Sequence, residues 1–261
     1  MAQKLFEVRR FAGAAIGLAG LIAAIGFARA SDPSVLWKIV HDRCVANMKA
    51  KGLPAPCAAV NLAGGYAVLK DIRGDMQFLV IPTERISGID DSHLLAPASP
   101  NYWEDAWKAR HFIEKKVGRS LPRDDFALAV NSRYARSQNQ LHIHVDCVRP
   151  SVQQALKANE NRIGPSWAKL NFDLAGHRYR AMRIEQKHLG ALDPFKLLAD
   201  DNPEARAHMG EETLVAIGMS FPDGKPGFVL LDDQVDLATL DRASCEELLD
   251  HGCKVLAKRQ G

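Results

Sequence analysis

The sequence has little net charge and few aromatic residues. Its 34 Lys and Arg residues stand against 31 Asp and Glu residues, which gives a net charge of +3 over 261 residues, and aromatic residues make up 7%. Nucleic-acid-binding domains carry a clustered basic surface, so this small excess predicts no nucleic-acid partner. Hydrophobic residues at 47% and charged residues at 25% exclude a disordered chain and predict a globular protein with a sizeable core.

The five cysteines lack the Cys-x-x-Cys spacing of a structural zinc site. Cys44 and Cys57 close a short proline-containing loop and are predicted to form a disulfide. Cys245 and Cys253 fall on one predicted helix about 12 Å apart, which is too far for a disulfide. A disulfide between Cys147 and Cys253 remains an alternative, and one cysteine is left unpaired in every arrangement.

Long hydrophobic runs are absent except at the N-terminus. Residues 11–28 carry no charge, and Lys4, Arg9 and Arg10 precede them. Eighteen helical residues span about 27 Å, which is just enough to cross a bilayer. We expect residues 1–30 to form a basic cytoplasmic flank and an uncleaved membrane anchor. A signal peptide cleaved after residues 28–30 is the alternative, and both place the following domain outside the cytoplasm.

Residues 31–150 are predicted to form an α+β unit with an antiparallel sheet. Strands at 65–70 and 77–81 make a hairpin that Pro82 closes. A helix over 99–117 follows the hairpin, and its apolar stripe indicates burial of one face. Two further strands are predicted at 126–131 and 140–148.

Residues 151–261 are predicted to form a second α+β half packed on the first. A hairpin is expected at 214–219 and 227–231, followed by a final helix that begins with the capping box Ser244 to Glu247. A hairpin followed by a helix would then occur twice, at 65–117 and at 213–258. This pattern indicates a degenerate internal duplication, although such a unit is also common in unrelated folds.

The strand at 140–148 contains the densest chemical signal. Gln140, His142, His144 and Asp146 alternate on one face, while the intervening residues are apolar. Histidine changes its charge near neutral pH, so the pair suits proton transfer or nucleophilic attack. The same spacing also suits a metal site with Asp146 as a third ligand, and an exposed polar face that has no function is the remaining alternative.

The segment resembles the histidine-triad superfamily of nucleotide hydrolases and transferases. The resemblance rests on the apolar strand before Pro82, on the order hairpin, helix, strand, histidine strand, and on Asn131 and Ser137 upstream of the histidines. Within that superfamily the chain is most similar to the CDP-diacylglycerol pyrophosphatases. The features shared with them are the N-terminal membrane segment, the two early cysteines, Ser137-Gln138-Asn139, Cys147-Val148-Arg149-Pro150 and the run at 203–210.

The resemblance implies a histidine-triad-like antiparallel sheet with helices packed on it. It also implies hydrolysis of CDP-diacylglycerol to CMP and phosphatidate, in phospholipid metabolism, at the inner membrane of a bacterium with the catalytic domain in the periplasm. His142 would attack phosphorus and form a nucleotidyl-histidine, and His144 would orient His142 or protonate the leaving group. No metal or other cofactor is required. The chain departs from the superfamily pattern because Gln140 occupies the first histidine position, and a register shifted by two residues stays open.

The pyrophosphate of such a substrate needs hydrogen-bond donors and positive charge. The side chains expected to bind it are Asn131, Ser137, Gln138, Gln140, Lys70, Arg85, Arg133 and Arg136. The duplication predicts that a monomer acts as a pseudo-dimer. Two other functions are retained: a metal-dependent phosphoesterase that uses His142, His144 and Asp146, and a non-catalytic periplasmic protein that binds a nucleotide or a lipid.

Overall fold

The structure is a computed structural model that describes residues 32–259. Nine antiparallel strands form one sheet in the order β1-β2-β3-β5-β4-β8-β9-β7-β6. The strands are β1 (Ala59–Asn61), β2 (Tyr66–Lys70), β3 (Phe78–Pro82), β4 (Phe126–Val130), β5 (Ile143–Cys147), β6 (Ala168–Lys169), β7 (Arg180–Ile184), β8 (Glu212–Ser220) and β9 (Pro226–Gln234).

The helices are short and few. They are α1 (Val35–Lys38), continued by a π-helical segment (Ile39–Val45) and α2 (Ala46–Lys51), then α3 (Tyr102–Ala109), α4 (His111–Val117), α5 (Pro150–Asn159), α6 (Pro194–Asp201) and α7 (Pro203–Ala207). Single 3-10 turns lie at Ser92–Leu95, Arg123–Asp125, Glu160–Arg162, Met209–Glu211, Cys245–Leu248 and Lys254–Arg259. The predicted α+β class with a large antiparallel sheet is therefore confirmed.

Helix α3 covers one face of the sheet near its centre. The side chain of Asn101 caps this helix by accepting hydrogen bonds from two backbone amides of the first turn. Trp103 and Trp107 are buried, and the Trp107 ring packs edge-on against Phe126 of β4 and Phe228 of β9. The two tryptophans therefore belong to the core, where the helical spacing of apolar residues places them.

The helical segment from α1 to α2 packs on the other face, over strands β2 and β3. Val40 and Cys44 are fully buried there against Leu79 and Ile81. Cys44 is joined to Cys57 by a disulfide, which is the pair that the short loop predicts. This face of the sheet is therefore apolar over β2 and β3. The part of the same face that belongs to the neighbouring strand β5 contacts a different set of side chains.

The last predicted helix is wrong. Residues 244–258 form two 3-10 turns, with an extended stretch between them that is bonded to the histidine strand and its continuation. The amide of Arg149 donates to Leu248, and the amide of Asp250 donates to Cys147. Cys253 has a positive φ of 50° and forms a disulfide with Cys147, so the chain turns where a helix would have continued.

The strand order shows a repeat, although not the one that the sequence suggests. Strands β2 to β5 lie in the spatial order 2-3-5-4, and strands β6 to β9 lie in the same pattern, 6-7-9-8, from the opposite edge. The predicted repeat, in which residues 65–117 correspond to residues 213–258, is wrong because the second segment does not end in a helix. The equivalent stretches are instead β2 to β5 and β6 to β9, which meet where β4 pairs with β8.

Among residues 32–259 no helix combines the length and the apolar character needed to cross a bilayer. The membrane anchor predicted at 11–28 lies outside the described residues.

Candidate active site

Strand β5 holds the two histidines near the middle of the sheet. It begins at Ile143 rather than at the predicted residue 140, so His142 stands immediately before it. His144 lies opposite Leu79 of β3 and Ala129 of β4, and the two histidine side chains are almost completely buried. The centroids of the His142 and His144 rings are 5.0 Å apart. The structure therefore brings together the two residues that the sequence places on one face.

The ring of His142 is held in the orientation that a nucleophile needs. Its Nδ1 lies 2.7 Å from the backbone oxygen of Gln140. A carbonyl oxygen only accepts, so Nδ1 carries the proton and Nε2 is the unprotonated nitrogen of the neutral ring. Burial lowers the pKa of His142 below its ordinary 6.5, against the opposing effect of that hydrogen bond. The nucleophilic form of His142 is therefore the stable form at neutral pH.

His144 has the opposite tautomer. The amide nitrogen of Gln77 lies 2.5 Å from His144 Nδ1 and donates to it, so the ring proton is on Nε2. That Nε2 is buried without a hydrogen-bond partner among the described residues, and Glu246 Oε1 is 3.9 Å away. Burial, with the nearby His142, His251 and Arg73, lowers the pKa of His144 well below its ordinary value. His144 is therefore a neutral donor beside the nucleophile.

A carboxylate from the C-terminal segment lies next to the histidines. Glu246 accepts hydrogen bonds from Asn131 Nδ2 at 2.9 Å and from Arg73 Nη1 at 2.7 Å. The oxygen of the Asn131 side chain in turn accepts from the backbone amide of Cys245 at 3.1 Å. Asn131, predicted to bind substrate, is therefore the residue that joins β4 to the turn that carries Glu246.

Asp146 and His251 form an ion pair on the same face of β5. His251 Nδ1 lies 2.5 Å from one carboxylate oxygen of Asp146, and the other oxygen accepts from the amide of Cys147. The hydrogen bond with Asp146 raises the pKa of His251, while burial raises the pKa of Asp146. The disulfide between Cys147 and Cys253 lies beside this pair and fixes the segment to the strand.

The donor geometry does not favour a metal on the two histidines. His142 Nδ1 and Asp146 already bind the backbone and His251, and in residues 32–259 no group of three potential ligands includes His142 or His144. The groups found there are Asp146 with Cys147 and Cys253, whose thiols form a disulfide, and His177 with Asp233 and Asp241.

Two predicted substrate contacts lie beside the site with their side-chain nitrogens bonded to the protein. Lys70 donates to the backbone oxygens of Asp71 and Gly74 in the turn between β2 and β3, and burial lowers its pKa. Gln140 donates to the backbone oxygens of Pro82 and Glu84. Both residues therefore support the loops that hold Arg73 and His142.

Three other residues predicted to bind substrate lie, in the folded protein, near the segment at 32–36. Gln138 accepts a hydrogen bond from the amide of Leu36 and donates to the oxygen of Asp32, and Arg85 donates to Ser34 Oγ. Ser137, next to Gln138, is exposed. Gln138 and Arg85 therefore fasten the segment at 32–36 to the loops that precede β5 and follow β3.

The last two predicted contacts, Arg133 and Arg136, lie in the loop after β4. Arg136 makes a two-pronged ion pair with Asp90, and its charge contributes to the lowered pKa of His142. Arg133 is exposed and lines a separate cavity of about 340 Å³ together with Arg206 and His208. Arg136 therefore acts on the site through its charge, and Arg133 faces another surface.

Sequence reasoning missed four residues of the site: Arg73, Gln77, Glu246 and His251. Gln77 begins the second predicted strand, and its position opposite the histidine strand could have been found from the predicted sheet order. Glu246 and His251 could not be found, because they were assigned to a helix that does not exist.

We expect kcat/KM for the hydrolysis that the resemblance implies to fall on the acid side, along a limb whose midpoint lies below pH 6.5. Protonation of His142 Nε2 removes the nucleophile, and burial lowers the pKa of His142 from 6.5 even though the negative charges of Glu246 and Asp71 oppose the shift. Initial rates measured from pH 4 to pH 9, with about equal ionic strength throughout, test this expectation. An acid limb centred above pH 6.5 would contradict a buried neutral His142.

Almost the whole chain is similar to CDP-diacylglycerol pyrophosphatases. The family model for CDP-diacylglycerol pyrophosphatase matches residues 31–257, a range that contains every residue of the site described above. A CDP-diacylglycerol pyrophosphatase of Yersinia pestis is 44% identical over 238 residues, which cover 91% of this chain and 90% of the relative. The chain therefore belongs to the CDP-diacylglycerol pyrophosphatase family.

Proposed function

We propose that the protein hydrolyses the pyrophosphate bond of CDP-diacylglycerol to CMP and phosphatidate through a nucleotidyl intermediate on His142. Family membership supplies the substrate and the reaction. The observation that supports the mechanism is the hydrogen bond from His142 Nδ1 to the Gln140 oxygen, because it leaves Nε2 free for attack.

In the first step, the Nε2 lone pair of His142 attacks the phosphorus of the cytidylyl group. The bond from that phosphorus to the bridging oxygen breaks, and its electron pair leaves with phosphatidate. His144 Nε2–H is placed to donate a hydrogen bond to a phosphate oxygen as charge develops, since Gln77 holds its proton on that nitrogen. Arg73, which is largely exposed beside Glu246, supplies positive charge at the mouth of the site.

In the second step, water attacks the nucleotidyl-histidine and releases CMP. The electron pair of the N–P bond returns to His142 Nε2, and the ring becomes neutral again with its proton on Nδ1. Dividing the reaction into two displacements gives each step a good leaving group, which is the usual advantage of a covalent nucleophile.

The same proposal covers the organisation of the chain. Residues 31–150 form a histidine-triad-like catalytic half, and residues 151–261 form a second α+β half packed on the first. The repeated strand order supports an internal duplication, which makes one chain a pseudo-dimer. An anchor within residues 1–30 would hold the domain at the inner membrane, facing the periplasm, where its two disulfides are stable.

The direct test is to trap the intermediate. Full-length protein in detergent is mixed with CDP-diacylglycerol labelled in the cytidylyl phosphate, with excess EDTA, and quenched in alkali. We expect activity to survive the chelator and label to be attached to the peptide that contains His142, in a linkage that acid breaks and alkali preserves. Loss of turnover in EDTA, or label on another residue, would contradict the proposal.

A further inference from the structure

The second half-reaction needs a group that takes a proton from water. A nucleotidyl-histidine reacts with water slowly unless a base accepts one of the water protons as the O–P bond forms. His142 cannot be this base, because its Nε2 is bonded to phosphorus during the step. The base must therefore be another residue near the histidine pair, and this requirement follows only if the proposed function is correct.

Three neighbouring groups are unsuited to this role. His144 receives a hydrogen bond from Gln77 on Nδ1 and carries its proton on Nε2, so it faces the site as a donor. Asp146 is fully buried, so water does not reach its carboxylate as it reaches a partly exposed side chain. His251 is paired with that carboxylate through Nδ1, which favours its protonated form.

Glu246 has the position and the orientation that the role needs. Its Oε1 is 3.9 Å from His144 Nε2, and its negative charge acts on His142 as well. Asn131 and Arg73 hold one oxygen each, at 2.9 and 2.7 Å, so the carboxylate is fixed in the site. The side chain is 20% exposed, which lets water reach it.

We infer that Glu246 is the general base that activates water for hydrolysis of the nucleotidyl-histidine. A lone pair of the water oxygen forms the new bond to phosphorus, and the N–P bond breaks with its electron pair going to His142 Nε2. One water proton moves to the Glu246 carboxylate and the other stays with the departing CMP, from which it passes to solvent. The C-terminal half of the chain thereby supplies a group to the histidine site of the first half.

The variant Glu246→Gln separates this role from simple positioning. The amide keeps the shape of the side chain and an oxygen for the Asn131 hydrogen bond but cannot accept a proton. We expect steady-state CMP release to fall about 100- to 1,000-fold, while phosphatidate appears in a rapid burst of one equivalent per enzyme. The cytidylyl group should accumulate on the protein, as seen by mass spectrometry of the quenched full-length enzyme.

The matched control is Glu247→Gln, one residue further along the same turn. Glu247 accepts a hydrogen bond from the Tyr179 hydroxyl at 2.6 Å and does not contact the histidine pair. This variant should show wild-type CMP release and no accumulated adduct. A residue that merely positioned Asn131 and Arg73 would slow both steps, so a Glu246→Gln enzyme without a burst would overturn the inference.

The stereochemical course of the wild-type reaction distinguishes two outcomes: that the role of Glu246 is wrong, and that the proposed function itself is wrong. With a chiral phosphorothioate analogue in the cytidylyl position and hydrolysis in oxygen-18 water, which labels the incoming oxygen, two displacements retain the configuration at phosphorus and one displacement inverts it. Inversion would overturn the nucleotidyl intermediate, and the role of Glu246 would fall with it. Retention without a burst in Glu246→Gln would overturn the role of Glu246 alone.

Discussion

Replacing His142 by alanine is expected to lower CMP release from CDP-diacylglycerol by at least about 10⁴-fold, because the covalent route disappears together with its nucleophile. The side chain lies at the beginning of β5 and is only 9% exposed, so its loss leaves a small cavity but no unpaired buried charge. The variant should therefore fold. Steady-state rates and the amount of trapped adduct, both measured on the full-length protein, test the expectation.

Two further variants test whether the loss of activity is specific to His142. His144→Ala should lose about 10²- to 10³-fold and still form the adduct, because it removes one donor to the phosphate and leaves the nucleophile. His111→Ala is a control on the exposed surface of α4, where the ring bonds only the backbone oxygen of Lys108, and it should be as active as the wild type. A dead His144→Ala enzyme beside an active His142→Ala enzyme would move the nucleophile by two residues along the strand.

Removing the disulfide between Cys147 and Cys253 is expected to destabilise the protein by about 5 kcal/mol, because that bond closes a long loop in the unfolded chain. The two cysteines are separated by 106 residues. The double variant Cys147→Ser, Cys253→Ser should also lose most of its CMP release at temperatures at which it is still folded. The reason is that Glu246 and His251 are positioned by the segment which this bond fastens to β5.

The other disulfide provides the comparison. Cys44 and Cys57 are separated by 13 residues, and removing that bond should cost about 3 kcal/mol on the same loop-closure argument. It closes a loop over β2 and β3 and holds none of the groups around His142, so activity below the unfolding transition should change little. Urea unfolding curves and initial rates at 25 °C measure both effects. Equal loss of activity in the two double variants would contradict a specific role for the C-terminal bond.

The first half of the fold could be predicted from the sequence because its signals are local. Short apolar runs bounded by turn residues identified the strands near 66–70 and 78–82, and alternation identified the one near 143–147. The stripe of Trp103 and Trp107 identified a buried helix. The same alternation placed His142 and His144 on one face. These features depend on residues that are close together along the chain, and the periodicity of the sequence therefore reveals them.

The rest of the site depends on contacts between distant parts of the chain. Glu246 meets Asn131 across 115 positions, and His251 meets Asp146 across 105. The capping-box pattern at 244–247 favours a helix locally, yet the disulfide to Cys147 and the hydrogen bonds to the end of β5 stabilise an extended path instead. Tertiary contacts outweighed a local preference of about 1 kcal/mol.

The cations expected at the substrate have partners in the fold that the sequence does not indicate. Arg136 stands shortly before the histidine strand and Arg85 shortly after β3, and Asp90 and Ser34 are their partners in the fold. Arg73 lies in a turn that carried no chemical motif and still reaches Glu246. A charged residue on a loop is able to form an ion pair or a hydrogen bond. Its partner depends on which strands and loops the order of the sheet places beside it.

The position of the C-terminal segment has a consequence for the order in which the protein becomes active. The histidine strand leaves the ribosome about 100 residues before Glu246, His251 and Cys253, and each of these three contacts or lies next to it in the finished fold. A growing chain can pair β3, β4 and β5 early, yet its hydrolytic centre stays incomplete. On the proposed mechanism, activity therefore begins only after the last part of the chain has emerged and packed against the histidine strand.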